Sequence, residues 1–492
     1  MCSFPNVCCD FTIWLSFIPL IYIVLTNKTK YSFIYGFISG FVCNILSLFW
    51  IVQPLNLYLG IFKASILSLL LWIYVSLYWG VWSFFVKLFS KIVTYNINFI
   101  ICCSCLWVLL EYIRTYLFTG FPLILIGYSQ FKFLSIIQIV EFTGIYGISF
   151  IIIFFNFCCY FLLTTNKKIN LSIKDILYYK LQYVYISLIL FFFIFIIGKV
   201  RIHKFSKNFG DDSLKVVIIQ PNIEQYKKLD INYINDILLN LERHVNKIAQ
   251  TKYDLVVWPE TAIPACIPQN KAVFKYIRNI MRKTKCCNII GTVYNNIYGE
   301  QSNAIVVIRE TSSFLLHKKK HLIPFGEYIP LSFTFLTKVF MPLNQLENFI
   351  KGTDVNILKY KNINLGTLIC SENFFPEIAS QFVMNGARIL TNHANDAWFN
   401  NTAVLYQHFI MNVFRAVENR KVVMISSNSG ISGLIDITGK IIISTINGKS
   451  TAISCSVMQN HFKTFYTLHG DIFIKMCFVF VLLMYILYNP YI

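Results

Sequence analysis

The feature that most restricts what this chain can fold into is the recurrence of apolar runs long enough to cross a lipid bilayer. A helix needs about 20 apolar residues to span the hydrocarbon core. About seven such runs occur, at approximately 11–27, 32–51, 60–86, 97–118, 136–164, 182–200 and 471–489. The second and third are separated by the short connector Gln53-Pro-Leu-Asn56. The stretch from Gly120 to Phe133 is too broken by Gly and Pro to span, and is predicted to lie at the membrane interface. With 56% hydrophobic residues among 492 and a mean hydropathy of +0.59, the chain reads as an integral membrane protein.

The lysines give an orientation, because short cytoplasmic loops accumulate Lys and Arg. Lys28 and Lys30 follow the first run, Lys87 and Lys91 the third, and Lys167, Lys168, Lys174 and Lys180 the fifth, while the intervening loops hold almost none beyond Lys132. Spans one, three and five are therefore predicted to end in the cytoplasm, leaving residues 201–470 outside it. The start, Met1-Cys-Ser-Phe-Pro, lacks the basic region of a cleaved signal peptide.

The formal charge of +20 does not point to nucleic acid, since the lysines are scattered among Ile, Asn, Phe and Tyr without a basic stripe. The partner it supports is the anionic surface of a bilayer. Of the 15 cysteines, Cys43, Cys102, Cys103, Cys158, Cys159 and Cys477 lie in apolar runs, where cysteine acts as a small hydrophobe. Cys266, Cys286, Cys287, Cys370 and Cys455 remain in the polar block, with no metal-binding spacing among them, so no metal is expected.

The polar block alternates β-branched runs with helical spacing. Buried strands are predicted at 214–220, 253–258, 288–293, 304–308, 365–370, 387–391 and 422–426, and helices at 231–249, 271–284, 375–385 and 404–419. This predicts an α/β or layered α+β domain with helices outside sheets. The expected organisation is a helical membrane domain over 1–200, a catalytic domain over 201–470 and a final membrane helix over 471–492.

Three polar groups follow predicted strands: Glu260 in Trp258-Pro-Glu260, Lys319 after Ser313-Phe-Leu-Leu, and Cys370 after Leu368-Ile. Strand ends from distant parts of a chain can converge on one crevice. A cysteine attacks only as thiolate and needs a base or cation beside it. Glu260 could accept the thiol proton and Lys319 could balance an oxyanion. Each group also has an ordinary reading. Cys370 alone fits an inert core thiol, Lys318 to Lys320 a solvated charge run, and Glu260 and Glu327 turn or helix caps.

The ordered set weighs against those readings. Trp258-Pro-Glu260, Lys319 with His321-Leu-Ile-Pro-Phe-Gly-Glu327, Cys370-Ser-Glu372 and Asn395-Asp-Ala-Trp-Phe399 resemble, in order, the motifs of the nitrilase (carbon–nitrogen hydrolase) superfamily. Gln220-Pro-Asn222 and Asn428-Ser-Gly-Ile-Ser432 resemble its opening and late turns. Upstream, Trp107-Val-Leu-Leu-Glu-Tyr-Ile-Arg114 and Gly120-Phe-Pro through Gly127-Tyr-Ser-Gln130 resemble the membrane half of its apolipoprotein N-acyltransferase branch.

That resemblance implies a bundle of about seven membrane spans carrying an extracytoplasmic nitrilase-like αββα sandwich. It implies a Glu260–Lys319–Cys370 triad supported by Glu327 and Glu372. It also implies transfer of an acyl chain from a phospholipid, the sn-1 chain of phosphatidylethanolamine or a relative, to a diacylglyceryl-cysteine lipoprotein terminus. The place of action would be the bacterial inner membrane, with the catalytic domain in the periplasm and no cofactor. The departures from the family pattern are Ser371 where an aromatic residue is common, His393 for serine, Asn400 for glycine and Leu229 for tryptophan. The opening residues resemble the segment that normally follows the family's first span.

The run Phe333-Thr-Phe-Leu-Thr-Lys-Val-Phe-Met-Pro-Leu-Asn-Gln-Leu346 has no counterpart in a soluble nitrilase. It reads either as a core helix or as an amphipathic arm that admits an acyl chain, with Phe335, Phe340 and Met341 touching lipid. Asn395 and Trp398 are further candidate substrate contacts. A membrane-anchored amidase would share the triad but release its product to water. A receptor or transporter would instead need a charged pathway at mid-membrane, whereas Glu111, Arg114 and Glu141 fall near span ends.

Overall fold

A computed structural model describes residues 10–93, 95–164, 173–207, 213–310, 312–328, 348–361, 363–400 and 402–488. The chain divides into two compact units, Met1–Lys204 with His469–Ile492, and Phe205–Leu468.

In the first unit, five helices are long and apolar enough to cross a membrane: Thr29–Leu57, Ile61–Ile92, Ile97–Tyr116, Ile145–Leu163 and Leu181–Ser206. Asp10–Thr26, Leu134–Thr143 and Ile472–Tyr488 are shorter apolar helices. Two expected boundaries move. The run expected over 136–164 breaks at Gly144, whose φ of 63° takes the backbone out of the helix, so its long helix starts at Ile145. The connector expected at Gln53–Asn56 is itself helical, and the turn falls on Gly60, with φ 74°. The stretch from Gly120 to Phe133 is largely buried, with the Ile126 amide donating to Oε1 of Glu111 at 3.0 Å.

The helices of this unit pack with small polar faces inward. Along Thr29–Leu48, Ser32, Gly36, Gly40 and Asn44 are buried at four-residue spacing, while Ile34, Ile38, Val42 and Leu46 are exposed. A Cβ at Gly36 would lie 2.2 Å from Oγ of Ser83 and 2.5 Å from the Trp79 carbonyl, so only glycine permits the approach. Asn44 donates to Oγ of Ser76 at 3.0 Å. Lipid offers apolar side chains as good a solvent as a protein core does, so membrane helices associate through small residues and polar bonds.

The second unit holds thirteen strands among the described residues: β1 (Ser213–Gln220), β2 (Leu255–Val257), β3 (Ile263–Cys266), β4 (Cys287–Asn295), β5 (Gln301–Ile308), β6 (Ser313–Lys318), β7 (Leu358–Tyr360), β8 (Ile363–Ile369), β9 (Ile389–Ala394), β10 (Val422–Ser427), β11 (Gly433–Ile435), β12 (Ile441–Ser444) and β13 (Thr451–Met458). One sheet has the order β13-β1-β2-β4-β5-β6 with β3 beside β4, and the other β12-β11-β10-β9-β8-β7. The central pairs β1–β2, β2–β4, β8–β9 and β9–β10 are parallel, and antiparallel strands close the edges.

Strand alternation sorts the side chains into layers. Val216, Ile218, Val257, Ile289, Ile305 and Val307 of one sheet share a core with Leu365, Ile369, Ile389 and Met424 of the other. Val217, Ile219, Val256, Ile290 and Val306 face outward onto the helices Ile234–Ile248 and Lys271–Arg282 through Leu241, Val245, Ile277 and Met281. The helix Pro376–Met384 covers the other sheet, where a Cβ at Gly366 would meet Phe382 at 2.6 Å. The result is an αββα sandwich. All seven expected strands and four expected helices are present, and the strand read at Ser313-Phe-Leu-Leu is β6. The strands left unread, β3, β7 and β11 to β13, are short, at an edge or half exposed, so their apolar pattern is weak.

Candidate active site

Lys319 follows β6, where a bulge decides its direction. Val306 pairs with Leu315 but Ile305 pairs with His317, so Leu316 is an extra residue in β6. That insertion puts Lys319 opposite Asn303, bonded through its amide to the Asn303 carbonyl at 2.8 Å. Without it the register would bring Lys318 there, because a one-residue slip reverses every side chain. Lys318 instead lies over the Tyr294 ring at 5.3 Å, and Lys320 donates to Gln381 at 2.8 Å. Lys319 alone of the three is fully buried.

Its Nζ lies 2.9 Å from Oε1 of Glu327 and 3.2 Å from Oε1 of Glu260. Asn303 Nδ2 donates to the same two oxygens, at 2.7 Å to Glu260 and 2.8 Å to Glu327. Oε2 of Glu327 accepts the Ile323 amide at 2.8 Å, which ties it to its own turn. Burial alone would lower the proton affinity of Lys319, yet Glu260 and Glu327 outweigh it and hold the ammonium above its ordinary value. Glu260 projects from the turn after β2. There the backbone runs so close to β4 that a Cβ at Gly291 would meet the Pro259 carbonyl at 2.5 Å and Cα of Glu260 at 2.6 Å.

Cys370 begins the turn Cys370–Phe374 after β8 with φ +50°, a left-handed conformation that costs a non-glycine residue about 1–2 kcal/mol. His408 helps hold it there: Nε2 donates to the Cys370 carbonyl at 3.1 Å and Nδ1 to Oδ1 of Asp396 at 2.7 Å. Both partners accept, so the ring carries both protons. Burial opposes that charge, but Asp396 and the Cys370 carbonyl raise the His408 pKa above its ordinary value. Ser427 Oγ donates to Oδ2 of Asp396 at 2.7 Å. The Cys370 thiol lies in the fields of Glu260, Lys319 and Asp396. Burial and the Glu260 carboxylate push its pKa well up against the pull of Lys319, so the resting sulfur is a thiol that needs a base.

Glu372 is fully buried and saturated. Its oxygens accept the Lys320 amide at 2.6 Å, the Ile369 amide at 2.8 Å and His317 Nε2 at 3.2 Å. Burial would raise this carboxyl, but His317 and the two amides bring it below its ordinary value. Glu372 thus staples the start of the Cys370 turn to the strand that carries Lys319. His393 donates from Nδ1 to the Trp258 carbonyl at 2.6 Å and accepts from Thr391 at 2.9 Å. Burial lowers it to about 4, so it is a neutral spacer behind Trp258-Pro-Glu260.

Glu260, Lys319, Glu327 and Cys370 therefore converge, with Glu372 behind them. Asn395 is buried and engaged with Gln225 and Asn428 at 3.0 Å each, while Trp398 is half-buried on the neighbouring turn. Phe335, Phe340 and Met341 lie outside the described residues. Asn303, His317, Asp396, His408 and Lys228 were not singled out from sequence. The available signal was a polar residue on the inward face of an apolar strand or helix, as at Asn303 beside Ile305 and Val307. No cluster of His, Cys, Asp and Glu suited to a metal occurs among the described residues.

The chain is similar to known proteins along both of its parts. Residues 1–158 match the apolipoprotein N-acyltransferase N-terminal domain, and residues 215–457 match carbon-nitrogen hydrolase. An apolipoprotein N-acyltransferase of Geobacter metallireducens is 31% identical over 490 residues, covering 96% of this chain and 90% of that protein. One from Rickettsia prowazekii is 31% identical over 435 residues, covering 83% and 79%. Among solved structures, an amidase from Nesterenkonia sp. matches at 15% identity and a TM-score of 0.39, over 54% of this chain and 96% of that one. On its similarity to the Geobacter metallireducens protein, over 96% of its length, the chain belongs to the apolipoprotein N-acyltransferase family, an enzyme family of the nitrilase superfamily.

Proposed function

We propose that this protein transfers an acyl chain from a phospholipid to the terminal amine of a diacylglyceryl-cysteine lipoprotein, through a thioester on Cys370. The observation that carries the mechanism is a fully buried lysine between Glu260 and Glu327, with a protonated cysteine in its field. In the first half, Glu260 takes the thiol proton and sulfur attacks the ester carbonyl. Lys319 balances the oxyanion, and the lysophospholipid leaves with the proton. In the second half, the amine attacks the thioester, Glu260 accepts the amine proton, and the amide departs with the thiol restored. Keeping both substrates within lipid excludes water from the thioester, as transfer demands.

The same reading puts the enzyme in the bacterial inner membrane with residues 201–470 on the periplasmic side, supported by the lysine asymmetry of the loops. Incubating the full chain with phospholipid should leave an acyl adduct on Cys370 that mass spectrometry detects, that added diacylated lipopeptide amine removes, and that C370A never forms. Absence of the adduct under trapping conditions, or its discharge by water as fast as by amine, would sink the proposal. Complementation of a bacterium depleted of its own N-acyltransferase, with C370A as control, tests the cellular role.

A further inference from the structure

A second lysine stands at the same site without a carboxylate of its own. Lys228, on the short helix Gln225–Leu229 after β1, is only 8% exposed and donates to the Glu260 backbone carbonyl at 3.2 Å. It lies in the fields of Glu260 and Cys370, and no carboxylate pairs with it among the described residues. Burying an ammonium costs several kcal/mol. A fold that needed only packing there would use an apolar side chain.

The charges around Cys370 supply a reason. Lys319 is shared by Glu260 and Glu327, so that trio is net negative before the thiol ionises. Asp396 is already engaged by His408, and Glu372 by the Lys320 and Ile369 amides. Moving the thiol proton onto Glu260 only relocates the surplus charge, from a carboxylate to a buried sulfur. One further cation makes the set neutral at the moment of attack. We propose that Lys228 is the counter-charge of the Cys370 thiolate, acting beside Lys319 and held in place by the Glu260 carbonyl.

Burial brings the Lys228 pKa down to about 7 against the opposing influence of Glu260 and Cys370. The two ionisations are coupled, since an ionised sulfur helps to hold the Lys228 proton and the ammonium in turn favours the ionised sulfur. Once the thioester forms, the sulfur no longer carries charge and the ammonium has less to hold it. The inference rests on Cys370 being the nucleophile.

The test is the pH dependence of Cys370 alkylation by iodoacetamide in the detergent-solubilised full chain, quantified on the Cys370 peptide. K228Q keeps a donor toward the Glu260 carbonyl but loses the charge. It should slow alkylation about tenfold at pH 6 to 7, where Lys228 carries its charge, and the difference should shrink above pH 8 as the lysine of the unmodified protein loses its proton. K228R keeps its charge at every pH, so its rate at pH 7 should match or exceed that of the unmodified protein. A merely structural lysine would lower the melting temperature without changing the pH dependence of the rate. An unchanged rate at pH 6 to 7 in folded K228Q overturns the proposal. Should K228Q fail to fold, a slower rate at pH 7 in K228R overturns it and an equal or faster one supports it. If Cys370 of the unmodified protein forms no acyl adduct with phospholipid, the nucleophile reading itself fails and this inference falls with it, an outcome visible before any variant is made.

Discussion

Lys319 is bound more closely to Glu327, 2.9 Å from Nζ to Oε1, than to Glu260, at 3.2 Å. The supporting carboxylate, eight residues along the chain, thus holds the ammonium more closely than Glu260 does. E327Q should leave Lys319 facing a neutral amide. Acylation of Cys370 by phospholipid is expected to fall about 100-fold. A variant whose acylation rate stays within a factor of two of the unmodified protein would show that Glu327 is not needed to hold the lysine.

Gly291 determines where Glu260 can stand. G291A introduces a Cβ 2.5 Å from the Pro259 carbonyl and 2.6 Å from Cα of Glu260, both backbone positions with little room to yield. We expect a loss of about 1–3 kcal/mol in stability of the catalytic unit. Turnover should fall by about tenfold or more as the base is displaced. Chemical denaturation and acyl transfer measured on one preparation check both, and normal turnover in G291A would contradict the close fit.

Glu372 makes stability depend on pH in a stated direction. Its carboxyl is held below its ordinary value in the fold, despite burial, by His317 and by the Ile369 and Lys320 amides. Its contribution is therefore fully present above the unfolded value of about 4.3, and is lost as pH falls through the lower folded value. At pH 7, E372Q should be about 1–3 kcal/mol less stable. The gap should close as pH drops below about 4, which melting curves from pH 3 to 7 would reveal. A gap independent of pH would mean that packing, not charge, is what Glu372 contributes.

Phe335, Phe340 and Met341 bear on lipid entry. If the 333–346 segment is an amphipathic arm over the site, replacing all three with serine should weaken turnover of phospholipid presented in a bilayer while leaving the melting temperature unchanged. Phospholipid turnover equal to that of the unmodified protein would remove the arm from the mechanism.

Much of the fold was legible because its signals are local. A strand buried on both faces reads as a continuous apolar run, as at Leu214-Lys-Val-Val-Ile-Ile-Gln220, and a helix against a sheet shows its period, as over 271–284. Gly60 and Gly144 were harder. A positive φ shifts a boundary by several residues without interrupting the apolar composition that marks a span. The inward faces of the membrane helices were harder still. A stripe of Ser32, Gly36, Gly40 and Asn44 becomes meaningful only beside the helix that carries Ser76, Trp79 and Ser83.

By itself the sequence determined that the chain is membrane-bound, that its polar block alternates strands and helices, and that Glu260, Lys319 and Cys370 stand in the family's order. Those are properties of short segments and their spacing. Tertiary structure decided which lysine of Lys318-Lys-Lys320 enters the site, through one extra residue in β6. It also decided that His408 and Asp396 hold the Cys370 turn, that Asn303 binds two carboxylates at once, and that Lys228 stands beside Glu260. Those depend on strand register and on contacts between residues 12 to 43 positions apart, which no local pattern encodes.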